Sequence, residues 1–123
     1  MKVIKGILID TVNGNVRAVV IGKSWNKYCE TIGFKDIELI VKQVNGKNFA
    51  IMVEENNKDR PNQITSAISN DYEERLYGNL LIFSLDECDE IVSLTDSDIS
   101  LIFDNIHSYD TDNGLRQKLV YER

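Results

Sequence analysis

Two Asn-Gly pairs, each set between runs of β-branched residues, constrain the fold of this chain more than any other feature. The first lies in VIKGILIDTVNGNVRAVVIG and the second in IELIVKQVNGKNFAIMVEEN. Asn-Gly tolerates the positive φ that a type I′ turn requires at both central positions, and the flanking residues are typical of paired strands. The sequence therefore predicts two β-hairpins, with turns at Asn13-Gly14 and Asn45-Gly46.

The segment KSWNKYCETIGF between these hairpins predicts a short amphipathic helix. Ser24 can cap its N-terminus, and Gly33 can adopt the left-handed conformation that ends a helix. The apolar positions follow the i, i+3, i+4, i+7 spacing of one helix face. That face carries Trp25, Tyr28, Cys29 and Ile32.

The segment SLTDSDISLIFDNI, residues 93–106, predicts a second helix. Thr95 can act as N-cap, and Asp98 stands three residues later, where it can complete a capping box. Asp96 and Asp98 then lie in the first turn, where a carboxylate is stabilised by unpaired N–H groups and by the helix dipole. These two acids therefore have a structural explanation.

Less regular segments complete the chain. LLIFSL, residues 80–85, predicts a buried strand, and residues 56–77 form a long polar connection in which QITSAI suggests a helical turn. The tail, residues 115–123, alternates like a strand and could pair with a second copy, so a homodimer is possible.

These elements predict an α+β fold. We expect two β-hairpins plus one or two further strands in a largely antiparallel sheet, with two amphipathic helices packed on one face. A single domain spans residues 1–123, with its core in 3–106 and a C-terminal extension in 107–123. The expected core residues are Ile4, Leu8, Val19, Trp25, Cys29, Ile32, Leu39, Val41, Ile51, Val53, Leu81, Phe83, Ile99, Ile102, Phe103 and Ile106.

Charge is distributed unevenly along the chain. The formal net charge is −6, which disfavours direct binding to nucleic acid. Residues 1–60 hold ten Lys and Arg against seven Asp and Glu, whereas residues 76–114 hold nine carboxylates and no Lys or Arg. No apolar run is long enough to span a membrane and no signal peptide is evident, so we expect a cytoplasmic protein without membrane association.

Motifs for catalysis, metals and cofactors are not found in the sequence. The segment from Asp110 to Gly114 approaches a calcium loop, but its glycine stands at the fifth position instead of the sixth. His107 has no GxSxG nucleophile elbow to accompany it, and no glycine-rich phosphate loop is present. We therefore expect no catalytic residues, no metal site and no cofactor, and a protein that is not an enzyme.

Short motifs in the second half of the chain resemble those of an uncharacterised family, domain of unknown function 3846. They are Arg60-Pro61-Asn62, GNLLIF at residues 78–83 and SLTD at residues 93–96. The resemblance covers residues 3–106, although an Arg typically follows the loop Asn in that family and Gln63 stands there in this chain. The family occurs in phages and mobile elements, so the resemblance implies a genomic setting and not a chemistry. Small phage proteins are often inhibitors or sponges that blunt host defence, and we expect a binding protein of this kind.

Two binding hypotheses follow from the charges. In the first, acids without a capping role form an anionic face that docks on a basic nucleic-acid-binding host protein, such as a CRISPR effector; an ordinary solvated surface is the alternative. This face comprises Asp86, Glu87, Asp89, Glu90, Asp104, Asp110 and Asp112.

In the second hypothesis, the 56–77 region sequesters a nucleotide-like signalling molecule. Arg pairs with phosphate and Tyr can stack on a base, so the chemistry of this region suits such a ligand. The residues concerned are Arg60, Asn62, Arg75 and Tyr77.

Overall fold

The computed structural model describes residues 2–59 and 63–123, which form ten β-strands, two α-helices and a 3₁₀ turn. The strands are β1 (Val3–Asp10), β2 (Asn15–Gly22), β3 (Ile37–Val44), β4 (Lys47–Glu54), β5 (Thr65–Ser69), β6 (Arg75–Tyr77), β7 (Leu80–Leu85), β8 (Ile91–Val92), β9 (Ile106–Thr111) and β10 (Gly114–Tyr121). The helices are α1 (Trp25–Ile32) and α2 (Asp96–Asp104), and the 3₁₀ turn is Asn57–Asp59.

The strands build two sheets. The larger sheet has the order β2-β1-β7-β4-β3 with β8 added to β7, and the smaller has the order β6-β5-β10-β9. Among the described strands, β5 and β10 form the one parallel pair. The α+β class and the largely antiparallel pairing are confirmed, but six strands stand beside the two hairpins instead of one or two. Short strands such as β6 and β8 escape prediction because two or three residues are too few to show an alternating pattern.

The two Asn-Gly hairpins are confirmed, but their turns differ. Asn45 and Gly46 have φ values of 48° and 78°, as a type I′ turn requires, and they directly join β3 to β4. The first hairpin instead has a four-residue loop, in which Gly14 alone has positive φ. The Asp10 carboxylate widens that loop by accepting hydrogen bonds from the backbone N–H groups of Val12 and Asn13.

The predicted caps of both helices are confirmed. The Ser24 hydroxyl accepts a hydrogen bond from the Lys27 N–H, and Gly33 ends α1 with a φ of 91°. At α2, Thr95 and Asp98 exchange the two hydrogen bonds of a capping box. Local side-chain chemistry therefore sets these helix boundaries.

The two helices pack on opposite faces of the larger sheet, contrary to the expected shared face. Leu8 belongs to an apolar cluster with Tyr28 and Ile32 of α1. Ile9, whose side chain points to the other face, belongs to a cluster with Ile102 of α2. The smaller sheet contributes to this second cluster as well. Both faces of the central strands are therefore covered, which a single-layer prediction did not anticipate.

Four predicted core residues are exposed: the exposed fractions are 47% for Trp25, 38% for Leu39, 49% for Val41 and 42% for Phe103. Helix α1 packs on β1, β2 and β7 and leaves the edge strand β3 uncovered, so two side chains of β3 face solvent. Trp25 and Phe103 lie near helix ends, beside the buried positions.

The rest of the predicted core is buried or half-buried. Fully buried are Ile4, Leu8, Ile32, Ile51, Val53, Leu81, Phe83 and Ile102. Half-buried are Val19, Cys29, Ile99 and Ile106. Buried residues that the prediction missed include Ile7, Phe49, Ile68, Leu80, Leu119 and Tyr121.

Two segments contribute more to the core than the sequence suggested. The tail forms β10, as predicted, but its partners are β9 and β5 of the same chain, and Leu119 and Tyr121 are fully buried. Residues 107–123 are thus part of the fold rather than an extension. In the 56–77 connection, the expected helical turn is instead β5, because Ala67 and Ile68 are buried there.

Candidate functional site

The seven acids of the predicted anionic face lie at two ends of the molecule. The turn 86–90 follows β7, and because Ile7 pairs with Ile82 in antiparallel register, this turn lies where β1 begins. The β9–β10 turn, which carries Asp110 and Asp112, lies instead at the β1–β2 loop. There, a Cβ built on Gly14 would come within 2.4 Å of the Leu115 carbonyl oxygen.

Asp104 lies with the second group. Phe103 and Ile106, on either side of it in the chain, line a cavity together with Gly14 and Val16 of the β1–β2 hairpin. The eight residues of β1 span about 25 Å, which is the approximate separation of the two acidic groups. The structure therefore divides the predicted face into a group of four acids and a group of three.

The 86–90 turn is held by one of its own acids. The Asp86 carboxylate accepts hydrogen bonds of 2.8 Å from the Cys88 N–H and 2.9 Å from the Glu90 N–H, and Asp89 has a φ of 60°. Asp86 thus has a structural role that the sequence analysis missed. Four exposed carboxylates still project from this short turn.

Asp98 of the capping box is buried, with 3% of its surface exposed, and forms an ion pair with Lys47. Burial acts to raise the pKa of Asp98, but hydrogen bonds from Lys47 and Thr95 outweigh it and hold that pKa below its ordinary value. Asp96 is exposed beside Lys5, at 3.9 Å. Both acids therefore serve the helix, as predicted.

A cavity of about 360 Å³ lies at the exposed edge of the smaller sheet and brings together two residues of the predicted ligand site. Arg75 and Tyr77 stand two apart in β6, so their side chains share one face while Leu76 between them points into the core. The cavity is lined by Glu73, Glu74, Arg75, Tyr77 and Arg123.

The β5–β6 connection beneath this cavity is ordered by its own polar groups. The Ser69 hydroxyl donates to the Asp71 carboxylate at 2.6 Å and accepts from the Glu74 N–H at 2.9 Å. Hydrogen bonds from Ser69 and Glu73, together with Arg123, hold the pKa of Asp71 below its ordinary value. The cavity wall is therefore a structured turn.

Asn57 supports the cavity from the other side. Its side-chain amide donates to the Tyr77 carbonyl and accepts from the Tyr77 N–H, both at 2.7 Å, as a neighbouring strand would. Asn57 is buried, with 2% of its surface exposed. This contact fixes the backbone of Tyr77 at an edge that otherwise has no strand partner in the described part of the chain.

The charges around the cavity are partly neutralised within the protein. Glu74 forms an ion pair with Lys42 and accepts a hydrogen bond from the Tyr121 hydroxyl. Arg123 forms an ion pair of 3.2 Å with Asp71. Arg75 is exposed and has no ion pair within residues 2–59 and 63–123, so its guanidinium group is available to an anion.

Sequence reasoning found only part of this cavity. Arg60 and Asn62, the other two residues of the predicted ligand site, lie outside the described residues. Arg123 was missed: the parallel pairing of β10 with β5 brings it to Asp71, and nothing in the local sequence signals that pairing. The chemistry of Arg75 and Tyr77, a phosphate-binding cation and an aromatic ring, is the signal that pointed to this place.

Within the described ranges, no set of three or more His, Cys, Asp or Glu side chains is arranged to hold a metal ion. The two helices described here have eight and nine residues, too few to cross a membrane.

Comparisons with protein-family models, with curated proteins and with solved structures find no match to this chain. The resemblance to domain of unknown function 3846 stays a prediction.

Proposed function

We propose that this protein is a non-enzymatic binding protein that sequesters a small nucleotide-like anion in the cavity lined by Arg75 and Tyr77. The observation that carries the proposal is the position of these two side chains on one face of β6, beside a cavity of about 360 Å³. An exposed arginine that forms no ion pair with the described residues, next to an aromatic ring, suits a phosphate joined to a base.

The size of the cavity limits the ligand. Small-molecule sites range from about 300 to 1,000 Å³, and this cavity lies near the lower limit. It therefore suits one nucleotide unit, such as a cyclic mononucleotide, better than a dinucleotide. The exposed carboxylate of Glu73 disfavours highly charged anionic ligands, since like charges repel at close range.

The test is a thermal-shift and calorimetric titration with cyclic mononucleotides, cyclic dinucleotides and ADP-ribose. A ligand that binds the folded state raises the melting temperature in proportion to the logarithm of its excess over Kd. We expect a cyclic mononucleotide to produce the largest shift, and Arg75→Ala to weaken its binding at least tenfold. Tyr77→Leu, which keeps an apolar side chain but removes the ring, should weaken binding by removing stacking.

Lys23→Ala provides a matched control, because Lys23 is an exposed cation after β2 and does not line the cavity. It should bind like the unaltered protein. The proposal fails if no nucleotide shifts the melting temperature, or if the Arg75 and Lys23 variants bind equally well.

A second candidate function rests on the exposed 86–90 turn. We propose that Asp86, Glu87, Asp89 and Glu90 form a docking surface for a basic nucleic-acid-binding host protein, such as a CRISPR effector, as a counter-defence inhibitor in the cytoplasm would require. Supporting this is the concentration of four exposed carboxylates on one turn, ordered by the Asp86 hydrogen bonds. Such a surface would act mainly by electrostatic attraction.

The test compares two sets of neutralising substitutions against a purified effector. One set replaces the four acids of the turn by Asn or Gln, and Asn at position 86 retains an oxygen that can accept both backbone hydrogen bonds. The other replaces Asp104, Asp110 and Asp112, which lie at the opposite end. Only the first set should abolish binding, and raised salt should weaken it. Equal effects from both sets would contradict a site at the turn.

A further inference from the structure

The outer edge of β3 is incompletely paired. β3 is the last strand of the larger sheet, and the backbone N–H of Glu122 donates to the Gln43 carbonyl at 2.8 Å on its outer side. In an antiparallel strand, alternate residues direct both backbone polar groups to the same side. Since the backbone N–H and C=O groups of Gln43 point outward, those of Ile37, Leu39 and Val41 point outward as well. Glu122 is the one residue in the described ranges that bridges to this edge.

This edge also presents apolar side chains. Leu39 is 38% exposed and Val41 is 49% exposed, on the face that α1 leaves uncovered. Long edge strands of this kind are usually blunted by proline, a bulge or a covering element. In the described structure, residues 37–41 have no proline, bulge or covering element, and Glu38 is the one charged side chain among them; β3 runs in unbroken register with β4.

We propose that two copies of this protein pair through antiparallel β3 strands, related by a two-fold axis at Leu39. That register places Leu39 opposite its own copy, and Ile37 opposite Val41 of the second copy. The backbone N–H and C=O groups of all three residues point outward, so each pair can exchange both of its backbone hydrogen bonds. Gln43 keeps its backbone hydrogen bond with Glu122 and lies outside the paired stretch.

Charge complementarity supports the same register. The axis at Leu39 places exposed Asp36 opposite Lys42 of the second copy, whose ammonium group also pairs with Glu74 of its own chain, and symmetry repeats this contact at the other end. Opposite charges facing each other across strands stabilise the pairing. On the α1 face, the contact covers Leu39 and Val41 of both copies. The interface is isologous and therefore closes as a dimer.

The contact is short, so the dimer is weak. About five residues per strand take part, and such interfaces bury less than the roughly 1,200 Å² of standard complexes. Sedimentation velocity from about 5 µM to 1 mM covers the range in which we expect association. The unaltered protein should shift from monomer to dimer across this range.

Charged substitutions at the axis give a sharp test. Leu39→Lys and Leu39→Glu should each remain monomeric, because two like charges then face each other, whereas an equimolar mixture of the two should form a heterodimer. Leu39 is partly exposed, and circular dichroism with thermal unfolding checks that both variants fold. Val20→Lys, on the opposite edge strand where Val20 is 62% exposed, should associate like the unaltered protein.

Several results would overturn the proposal. They are a monomer at all concentrations, an Leu39→Lys variant that associates like the unaltered protein, a mixture of the two variants that stays monomeric, and open-ended assembly beyond a dimer.

Discussion

The Tyr121 hydroxyl donates a hydrogen bond of 2.8 Å to the Glu74 carboxylate, which ties the C-terminal strand to the β5–β6 connection. Tyr121 is fully buried, and Lys42 adds an ion pair with Glu74 and lies over the Tyr121 ring. Burial and the neighbouring Glu74 carboxylate raise the pKa of Tyr121 far above its ordinary value. This group of three residues joins the two sheets close to the candidate cavity.

Tyr121→Phe should lower the free energy of unfolding by about 1–3 kcal/mol, because the half-buried Glu74 carboxylate loses a hydrogen bond while the ring still fills its site. Urea unfolding measures this difference. Tyr72→Phe is the matched control, since Tyr72 is 69% exposed, and it should leave stability almost unchanged. Equal stability of the two variants would show that the Tyr121–Glu74 contact contributes little.

Leu119→Ala should destabilise the protein by roughly 2–5 kcal/mol, the usual cost of a cavity in a packed core. Leu119 is fully buried, whereas Leu115 in the same strand is 52% exposed. Leu115→Ala should therefore change the free energy of unfolding by less than about 0.5 kcal/mol. Similar small effects at both positions would indicate that the tail is a dispensable extension after all.

Asp98 should make the stability depend on pH in the acid range. Its pKa in the folded protein lies below the ordinary value of 3.8, so the unfolded chain binds a proton more readily. The stabilisation it provides is complete above the ordinary pKa and is lost as the pH falls through the lower, folded-state pKa. Asp98→Asn should thus be less stable than the unaltered protein at pH 7, and the difference should shrink below pH 3.8.

Thermal unfolding between about pH 2 and 7 measures this dependence. Glu87→Gln is the control, because Glu87 is exposed and lies outside the helices. Its stability should follow that of the unaltered protein at every pH. A gap between Asp98→Asn and the unaltered protein that stays constant with pH would contradict the assignment.

Asn57→Ala should loosen β6, because it removes both hydrogen bonds that hold the Tyr77 backbone. We expect a loss of about 1–3 kcal/mol and faster exchange of the Tyr77 amide hydrogen with solvent. Hydrogen exchange resolved by residue measures the second effect. Asn48→Ala, at an exposed position in β4, should leave the exchange of Tyr77 unchanged. Slow exchange in the Asn57 variant would mean that another group protects this amide.

Features governed by short-range chemistry could be predicted from the sequence. Ser24, Gly33 and Thr95 act at helix ends through groups no more than four residues away, so local reading placed both helices. The Asn45-Gly46 turn followed from its dihedral preferences. The Asn13-Gly14 turn had the same signature, yet the Asp10 carboxylate accepted local hydrogen bonds that favoured a wider loop.

The candidate cavity could be predicted only in part. Arg75 and Tyr77 could be singled out by the chemistry of their side chains, but their shared face depends on β6, a strand that the sequence did not predict. Arg123 joins them through a parallel strand pair, and the acids at 86–90 and 110–112 separate because the turns that carry them lie at opposite ends of the fold. A charge count along the chain cannot distinguish neighbouring acids from acids about 25 Å apart.

Short-range chemistry specifies the two hairpins, the two capped helices and the strand character of the tail, because propensity and capping act between residues close in the chain. Contacts between distant segments make β5 a strand, leave Leu39 and Val41 exposed, and place the helices on opposite faces. These outcomes depend on which surfaces meet. Which surfaces pack together depends on the burial of apolar area between segments far apart in sequence, and local sequence patterns do not encode this.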